Sequence, residues 1–597
     1  MSQGDGGVRA RMPGVPLPLL ALLLVPLAAA PSEPTDTLDA QKNYEEVLVQ
    51  WGLAQNGRQV DPEPEGKPLE AVLVALEDVV AETDPYPGFL NTLHVRSREE
   101  VVRREVLLAP GQPYSEALAN ETARNLRKLG IFAVVRAVAV RGETPGSVAL
   151  LIVTKDVWSL RLNNDFSAVG SLLQYLRLQG TEDNFLGRGK KVALDFILLL
   201  DTWSVGQSYI DKQLFGSRWT LNESAAVILG RESGRAEGTR GTVTLSRPLF
   251  SLATRWSLTT QLTWNMETSR TFRGADVWQL PFPGGEPVPY VYNAREVTGS
   301  VLYLRSWGDV LKWEAGGGVG AYSKAYSPPV ESGLDAEQSA WFQSRFLPRS
   351  EDAVHATGSL RLFEARYEVL RDVDTYSLSE DFQVGPSLTA TLRYAPPLFA
   401  SASHFTEAGL AARYRVRLGD ALTTVSTAGT LRRQFGSGAG WTNRRWATEV
   451  HQVSPRVLGG RFVARGLLDV NVDDVNERVV LLGGGNGLRG ANVDAYAGRR
   501  LLLFNLEYRT PPLIIRTLHV GGVLFYDAGS AYVRRPDLVQ SVGVGLRLLV
   551  PQFNIIPFRL DFGYVLDGER PPVGSRFLAG GGQITDNRPT FLDTPLR

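Results

Sequence analysis

The sequence predicts a mostly β protein, in which a transmembrane antiparallel β-barrel follows one small α/β domain. Three observations support this fold class. Beyond Trp158, apolar and polar residues alternate in segment after segment, which is the period-2 pattern of strands with one apolar and one polar face. The chain holds 60 Gly, 24 Phe, 19 Tyr and 12 Trp, a composition that favours strands and tight turns. After an N-terminal export signal, no apolar stretch approaches the roughly 20 residues of a transmembrane helix.

The overall composition excludes several classes of function. The 597 residues include 63 basic and 63 acidic side chains, so the formal net charge of zero gives no electrostatic case for binding nucleic acid. The absence of cysteine excludes disulfides, zinc thiolates and a lipid-modified N-terminal cysteine. At this length we expect at least two structural units.

The first 68 residues predict an export signal and a linker. Residues 1–30 have the layout of a secretory signal peptide, because Arg9 and Arg11 precede an apolar run that ends in three alanines. Residues 31–68 are rich in Pro, Glu, Gln and Asp, and we expect a mobile linker there, with Tyr44–Leu53 as the one candidate for a short helix. A helix docked as a plug in the barrel is the alternative for this segment.

Residues 69–158 predict a compact α/β domain with the element order β-α-α-β-β. A strand over LEAVLVALEDVV comes first, and the apolar spacing after it predicts two helices, one around Val101–Val106 and one around Leu118–Leu129. The closing strands are AVVRAVAV and VALLIVTKDVW, which a glycine-bounded turn separates.

Residues 159–597 predict the barrel. In GLAARYRVRL, for example, Leu410 and Tyr414 lie on one face and Arg413 and Arg415 on the other. In lipid every backbone group must be paired within the protein, so a closed barrel is viable where an open sheet is not. The roughly 440 residues allow about 16 strands of this kind. A soluble β-sandwich would also alternate and is the alternative.

A glycine-rich loop and the two strands after it carry the candidate functional residues. The loop LLGGGNGLRGANVDAYAGRR contains Arg489, and the strands FNLEYR and GVLFYDAG carry Glu507 and Asp527 on their polar faces. We expect a charge clamp inside the barrel, because one guanidinium has five fixed donors and satisfies two carboxylates at once. The alternative is a surface turn with an incidental arginine. The loop also satisfies the dinucleotide pattern G-x-G-x-x-G, but a strand rather than a helix follows, so we expect no cofactor.

Several segments resemble the BamA/TamA (bacterial surface antigen) outer-membrane assembly superfamily. Residues 69–158 are similar to its POTRA module in VVRREVLLAPGQPYS, ARNLRKLGIF and TKDVW, with an insertion at about 84–93. TEDNFLGRGKKVALDF resembles its early barrel strands, and FYDAGSAY, SVGVGLRLL and FRLDFGY resemble its final ones. GLRG resembles its lumen-loop motif of aliphatic, Arg, Gly and aromatic residues, in which Leu488, Arg489 and Gly490 match and Ala491 replaces the aromatic.

The resemblance implies a location in the bacterial outer membrane, with the POTRA domain in the periplasm and Arg489 paired with Glu507 and Asp527 in the lumen. It implies insertion of proteins into that membrane, or their translocation across it, without enzyme activity, cofactor or metal. The implied partners are outer-membrane lipid and an unfolded client or passenger that adds a strand at the POTRA edge. Periplasmic accessory proteins are further candidate partners. The alternatives are a two-partner secretion transporter with one dedicated passenger and a passive pore or structural barrel.

The end of the chain departs from these relatives, which usually finish on an aromatic residue, whereas this sequence ends at Arg597. Its last predicted strand, SRFLAGGGQI, offers little side-chain packing because it contains Ala579, Gly580, Gly581 and Gly582. We therefore hypothesise a weak seam between the first and last strands, where such barrels are thought to admit clients. Alternatively, the glycines only help the barrel to close.

Catalytic and metal signals are missing from the sequence. Its five histidines are scattered, and neither H-E-x-x-H nor G-x-S-x-G occurs. We therefore predict a protein that is not an enzyme and that has no catalytic or metal-binding residues.

Overall fold

A computed structural model gives the fold of residues 38–583. Within that range it describes all residues except 82–87, 170–171, 274–275, 284, 330–332, 377, 399–400, 402, 437–438, 475–479, 493–494, 552–555, 568–575 and 582. The predicted signal peptide, residues 1–30, lies outside the described residues. None of the helices in the described ranges is long and apolar enough to cross a membrane.

The α/β domain is a three-stranded mixed sheet with helices on both faces. Its strand order is β1-β3-β2, and the central β3 runs parallel to β1 and antiparallel to β2. The two helices between β1 and β2 follow the predicted β-α-α-β-β order. The elements are α1 (Leu38–Asn56), β1 (Leu69–Glu77), a 3-10 segment (Gly88–Leu93), α2 (Glu99–Arg103), α3 (Glu116–Arg127), β2 (Phe132–Arg141) and β3 (Val148–Asp156).

Two apolar clusters hold this domain together, one on each face of the sheet. On one face, α2 and α3 bury Val102 and Leu126 against strand residues such as Ile152. On the other face, α1 buries Val49 and Leu53 against the same three strands. Each fully buried aliphatic side chain stabilises the fold by ~1.5–3 kcal/mol relative to its exposed state. Helices on both faces therefore make the domain compact despite its small sheet.

Helix α1 differs from the expectation of a linker at residues 31–68. Residues 38–56 form a 19-residue helix, longer than the short helix considered at Tyr44–Leu53. The segment is polar overall, but Leu48, Val49 and Leu53 share one helical face and pack on the sheet. Gly52 permits the close approach, since an added Cβ would lie 2.7 Å from Val153 Cγ2. The helix covers the sheet and does not plug the lumen.

The remaining strands form one antiparallel barrel. They are β4 (Leu160–Val169), β5 (Leu172–Glu182), β6 (Lys190–Leu198), β7 (Thr202–Asp211), β8 (Thr220–Gly230), β9 (Ala236–Arg247), β10 (Trp256–Arg270), β15 (Val291–Trp307), β16 (Leu311–Ser327), β17 (Glu351–Glu364), β18 (Arg366–Leu370), β19 (Glu380–Ala395), β20 (Phe405–Leu418), β21 (Ala421–Gln434), β22 (Gly440–Val457), β23 (Gly460–Val472), β26 (Arg500–Arg509), β27 (Leu513–Ile515), β28 (Leu518–Tyr532), β29 (Val539–Leu549), β30 (Phe558–Val565) and β31 (Phe577–Gly581).

Short elements lie in the connections. They are the strands β11 (Phe272–Arg273), β12 (Asp276–Val277), β13 (Gln279–Leu280), β14 (Val288–Pro289), β24 (Val480–Leu482) and β25 (Tyr496–Gly498), the helix α4 (Ala336–Arg345), and the 3-10 turns Phe185–Gly187, Leu214–Gly216 and Gly484–Asn486.

The barrel is closed, because β31 neighbours β4. Twenty strands make its wall in the described residues, if the short β18 and β27 are counted as extensions of neighbouring hairpins. The predicted fold class, a transmembrane antiparallel barrel after a small α/β domain, is confirmed. The wall exceeds the expected number of about 16 strands. Strands β4 to β8 are only nine to eleven residues long and their connections are short, whereas the expectation left room for long loops.

The two faces of the wall differ in polarity as the alternation predicts. Leu410 and Tyr414 point outward with 53% and 54% of their surface exposed, and Arg415, next to Tyr414, is buried inside. In β30, Phe558 and Leu560 point outward, and Asp561 points into the lumen. An apolar exterior and an ionic interior are the arrangement that a barrel needs in a lipid bilayer.

The α/β domain sits against one rim of the barrel, here called the domain rim. Successive turns of that rim contact it. Asn184, in the turn after β5, donates to Ser97 Oγ at 2.8 Å. Arg218, in the turn after β7, pairs with Glu105 at 3.0 Å. The carbonyl of Phe250, in the turn after β9, accepts from the Asn125 side chain at 2.9 Å. These contacts place the domain over the mouth of the lumen.

The packing of α1 leads to a paired prediction. Val49 is 3% exposed against the sheet, whereas Val47 on the same helix is 43% exposed. Val49→Asp would place an unpaired charge in an apolar cluster, so α1 should detach and become cleavable within 38–56 by a protease. Val47→Asp is the matched control and should leave the cleavage rate at the wild-type level. Equal resistance of the two variants would show that α1 is not held by this face.

Candidate functional site

The loop between β23 and β26 folds into the barrel and carries the candidate arginine. Its two arms pair as β24 and β25, and a tight turn lies between them, where the amide of Leu488 donates to the carbonyl of Gly483 at 3.0 Å. Gly487 and Gly490, on either side of Leu488 and Arg489, take positive φ angles of 127° and 89°. That conformation favours glycine. The turn therefore presents Leu488 and Arg489 as its two projecting side chains.

Arg489 is fully buried and binds both predicted acids. Its Nη1 lies 2.6 Å from Glu507 Oε1, and its Nη2 and Nε lie 2.7 and 2.8 Å from the two oxygens of Asp527. The backbone amide of Arg489 also donates to Asp527, at 3.1 Å. The exposed fraction of all three side chains is 0%. Fork-shaped pairing of this kind is charge-assisted and fixes direction as well as distance.

Two further residues complete the seat of the guanidinium. Asn505 donates from one amide nitrogen to the carbonyl of Gly487 at 2.6 Å and to Asp527 at 2.7 Å. The ring of Phe525 lies under the guanidinium, with its centroid 3.7 Å from Arg489 Cζ. A desolvated cation over an aromatic face is stabilised electrostatically. The strands β26 and β28 thus bind the loop through charge, amide and ring at once.

Four further charged residues surround this site and were not among the predicted site residues. Asp561 lies 3.8 Å from Arg489 and 2.6 Å from Arg547. Arg509 pairs with Glu507 at 2.9 Å, and Arg559 lies 3.6 Å from Asp561. The alternation places all four on the polar face of β26, β29 and β30, which is the signal that could have found them. The charge cluster, as we call it, comprises Arg489, Arg509, Arg547, Arg559, Glu507, Asp527 and Asp561.

The other residues of the GLRG motif pack the loop on the wall. Leu488 is fully buried in an apolar cluster with Leu482 and Leu503, and Ala491 fills a place in the same cluster. Gly490 lies against β30, where an added Cβ would come 2.5 Å from the carbonyl carbon of Gly563. The backbones of loop and wall therefore touch at two glycines, and Ala491 is buried where the motif usually has an aromatic residue.

The proposed seam residues lie in a short last strand. β31 contains Ala579, Gly580 and Gly581 and is five residues long, whereas β15 and β16 have seventeen residues each. Gly582 lies outside the described residues. Just beyond, Gln583 is 4% exposed, and its side-chain oxygen accepts from Arg547 Nε at 2.8 Å. The structure thus ties the end of the closing strand to the charge cluster.

Comparison with known proteins identifies the family. The Omp85 superfamily domain matches residues 184–584, which is more than half of the chain. The chain belongs to the Omp85 superfamily. The resemblance to BamA and TamA is therefore confirmed, and the protein is an outer-membrane β-barrel of that superfamily.

Individual relatives of this Omp85 protein are distant. A candidate outer membrane protein assembly factor of Treponema pallidum (strain Nichols) is 28% identical over 134 residues, which cover 21% of this chain and 16% of the relative. BamA from Haemophilus ducreyi lacking POTRA domains 1–3 is 13% identical, with 93% of this chain and 94% of that chain covered and a TM-score of 0.32. CdiB from Escherichia coli is 9% identical, with 87% and 78% covered and a TM-score of 0.41.

Removal of the central cation should destabilise this Omp85 barrel strongly. Arg489→Ala would leave Glu507 and Asp527 buried without their main partner, and such a loss typically costs about 3–5 kcal/mol. The expected result is a clear drop in the unfolding temperature, measured as the temperature at which heating converts the fast-migrating folded barrel into the slow-migrating unfolded form in gel electrophoresis. Arg445→Ala is the control, because Arg445 pairs with Asp469 at 2.6 Å but keeps 36% of its side chain exposed. That variant should lose at most ~1 kcal/mol. Equal drops would contradict a special role for Arg489.

The glycine contact gives a second stability prediction. Gly490→Ala adds a Cβ at positive φ and against Gly563, so we expect a loss of about 1–3 kcal/mol and a mobile loop. Gly485 lies in the same loop, and no atom within 4 Å would meet its added Cβ. Gly485→Ala should therefore behave as wild type. Protease cleavage of the loop in intact cells and thermal stability of the purified barrel both test the pair.

Proposed function

We propose that this Omp85 barrel assists the insertion of proteins into the outer membrane, or their translocation across it, without nucleotide or cofactor. In this proposal residues 1–30 direct export, residues 69–158 form a periplasmic POTRA domain, and residues 159–597 form the barrel. The domain rim then faces the periplasm, and the loops with α4 face the outside. Family membership supports a role in transport or assembly, and the structure of the seam supports the insertion step.

The short closing strand is the observation that carries the proposal. β31 spans five residues, three of which are Ala579, Gly580 and Gly581, beside a first strand β4 of ten residues. A strand with few side-chain atoms packs weakly on its neighbours. If β31 and β4 separate, the freed edge of β4 offers main-chain donors and acceptors to an incoming strand. Pairing of that strand would avoid bare backbone in lipid, which costs several kcal/mol for each unsatisfied group.

The charge cluster has a holding role in this proposal. Leu488, Arg489 and Gly490 fix the loop against Glu507 and Asp527, so the last five strands keep their shape while the seam opens. Arg547 bridges Asp561 and Gln583, at 2.6 and 2.8 Å, and thereby retains the end of β31 when its pairing is lost. Opening of the barrel toward the lipid between β31 and β4 needs this arrangement, in which a fixed wall lies beside a weakly paired seam.

The POTRA domain would deliver the client through an edge of its sheet. Part of the β2 edge is already taken, because Asp61 donates its amide to Ala139 at 3.0 Å and Arg141 donates to Gln59 at 2.9 Å. A client strand is therefore expected to pair with the earlier part of β2. Main-chain pairing is indifferent to side-chain sequence, which suits a partner that handles unfolded chains.

A disulfide lock across the seam tests the function. The chain has no cysteine, so one engineered in β4 at Leu162 and one scanned through Phe577–Ala579 of β31 would be the only pair. Oxidation should abolish client insertion into liposomes, and reduction should restore it. A control lock at Thr242 and Thr263, which face each other across β9 and β10 with their hydroxyls 3.0 Å apart, should leave insertion unchanged. Insertion at the wild-type rate through an oxidised seam would refute the proposal.

A further inference from the structure

One hairpin of the barrel leaves the wall at the domain rim. It comprises β18, the described tip residues 371–376 and 378–379, and the start of β19, and we call it the mouth hairpin. β19 pairs with β17 and then with β18 in the same register, at Ser387 with Phe363 and at Val384 with Arg366. The ladder is interrupted between these pairs, where Gly385 takes a φ of 85°. The hairpin is thus a continuation of two wall strands beyond a bend.

Beyond the bend, the mouth hairpin lies inside the lumen. Leu370, Val373 and Phe382 form one apolar cluster with Leu422, Val453 and Val463, which point inward from β21, β22 and β23. All six side chains are at most 5% exposed. A buried apolar cluster on the lumen side of an otherwise ionic interior needs a cover, and the hairpin is that cover.

The tip continues to the far side of the mouth. The carbonyl of Val373 accepts from Arg509 Nη1 at 2.6 Å, and Arg509 in turn pairs with Glu507 of the charge cluster. Tyr376 lies against Gly521 of β28, and Leu378 packs with Leu549 at the end of β29. A hairpin rooted in β17 and β19 therefore reaches β26, β28 and β29 and crosses the opening.

The POTRA domain holds the mouth hairpin from outside. Arg127, at the end of α3, makes a two-pronged pair with Asp381 at 2.7 and 2.8 Å. Arg124 stacks on the ring of Tyr367 at 3.9 Å. From α1, the buried Glu45 contacts Arg371 and accepts from Ser379 Oγ at 3.0 Å.

Arg127 also reaches the sheet edge that a client would use. Its Nη1 donates to the carbonyl of Val135 in β2 at 3.2 Å, while its Nε and Nη2 hold Asp381. That carbonyl lies on the same side of β2 as the Ala139 carbonyl and the Arg141 amide, which residues 59–61 already bind. A strand added at this edge would compete with Arg127 for Val135.

We infer that the mouth hairpin is a gate across the periplasmic mouth of the barrel, and that the POTRA domain keeps it closed through Arg127 and Glu45. Displacement of the domain removes these anchors, and the bend at Gly385 lets the hairpin leave the lumen. Release of Arg127 by strand addition at β2 rests on the proposed function. The closed gate itself does not, because it is a property of the protein without a client.

Conductance of the purified full chain in planar bilayers tests the gate. Wild type should show low conductance with rare openings. Replacement of residues 371–379 by a Gly-Ser segment of equal length should give a large, steady conductance. Arg127→Ala should raise the open probability about tenfold, since it removes a charge-assisted two-pronged pair. The exchange Arg127→Asp with Asp381→Arg should return the open probability toward the wild-type value.

The control is Arg177→Ala, which removes a lumen pair of similar length, 2.6 Å from Arg177 to Asp195, on strands away from the hairpin. Its conductance should match wild type. A steady, large conductance of the wild type, or an unchanged conductance after tip replacement, would overturn the gate. If Arg127→Ala and Arg177→Ala have the same open probability, the inference that the POTRA domain keeps the gate closed would be overturned. If replacement of the tip prevents folding, Arg127→Ala and the exchange of Arg127 with Asp381 still test whether the POTRA domain keeps the gate closed. These measurements involve no client, so failure of the gate is distinguishable from failure of insertion.

Discussion

The buried pairing of Arg489 with Glu507 and Asp527 is the interaction on which the rest of the barrel depends. It brings a long loop back into the lumen and fixes it to two neighbouring strands at three bond lengths below 2.9 Å. An isolated charge at this depth would be strongly unfavourable, so the site is stable only when every member is present. Arg509 and Arg547 extend the same network, one toward the mouth hairpin and the other toward Gln583.

Through these extensions the cluster connects parts of the molecule that are far apart in sequence. Arg509 links it to Val373 of the mouth hairpin. Arg371 of the same hairpin contacts Glu45 of α1. Arg547 links it to the residue that follows the closing strand. The loop, the mouth and the seam consequently share one set of charges. A shift in any of the three alters the electrostatic surroundings of the other two, because buried ion pairs are screened little by solvent.

Much of this architecture follows from the sequence, since period-2 alternation reports directly which side chains face lipid. It placed Tyr414 outside and Arg413 inside, and it put Glu507 and Asp527 on the polar faces of their strands. The expectation that Arg489 joins them came from the charge of the loop and from the family resemblance. It did not identify Asp561 and Arg547 as members of the cluster, because strand order around a barrel decides which inward residues meet. The expected number of about 16 strands was lower than the number in the wall, because the expectation left room for long loops where β4 to β8 are short and joined by short turns. Helix α1 was underestimated because three apolar residues in a polar segment need the sheet beneath them to form a helix.

The cover of helices on both faces of the α/β sheet has a consequence for selectivity, if the domain binds clients as proposed. With α1 on one side and α2 and α3 on the other, the flat surfaces of the sheet are spent on the domain's own core. A client chain would then meet the backbone amides and carbonyls of a sheet edge instead of a pocket that recognises side chains. Selection among client chains would then depend on how long each one stays extended and unpaired, and so on its folding rate more than on its amino-acid sequence.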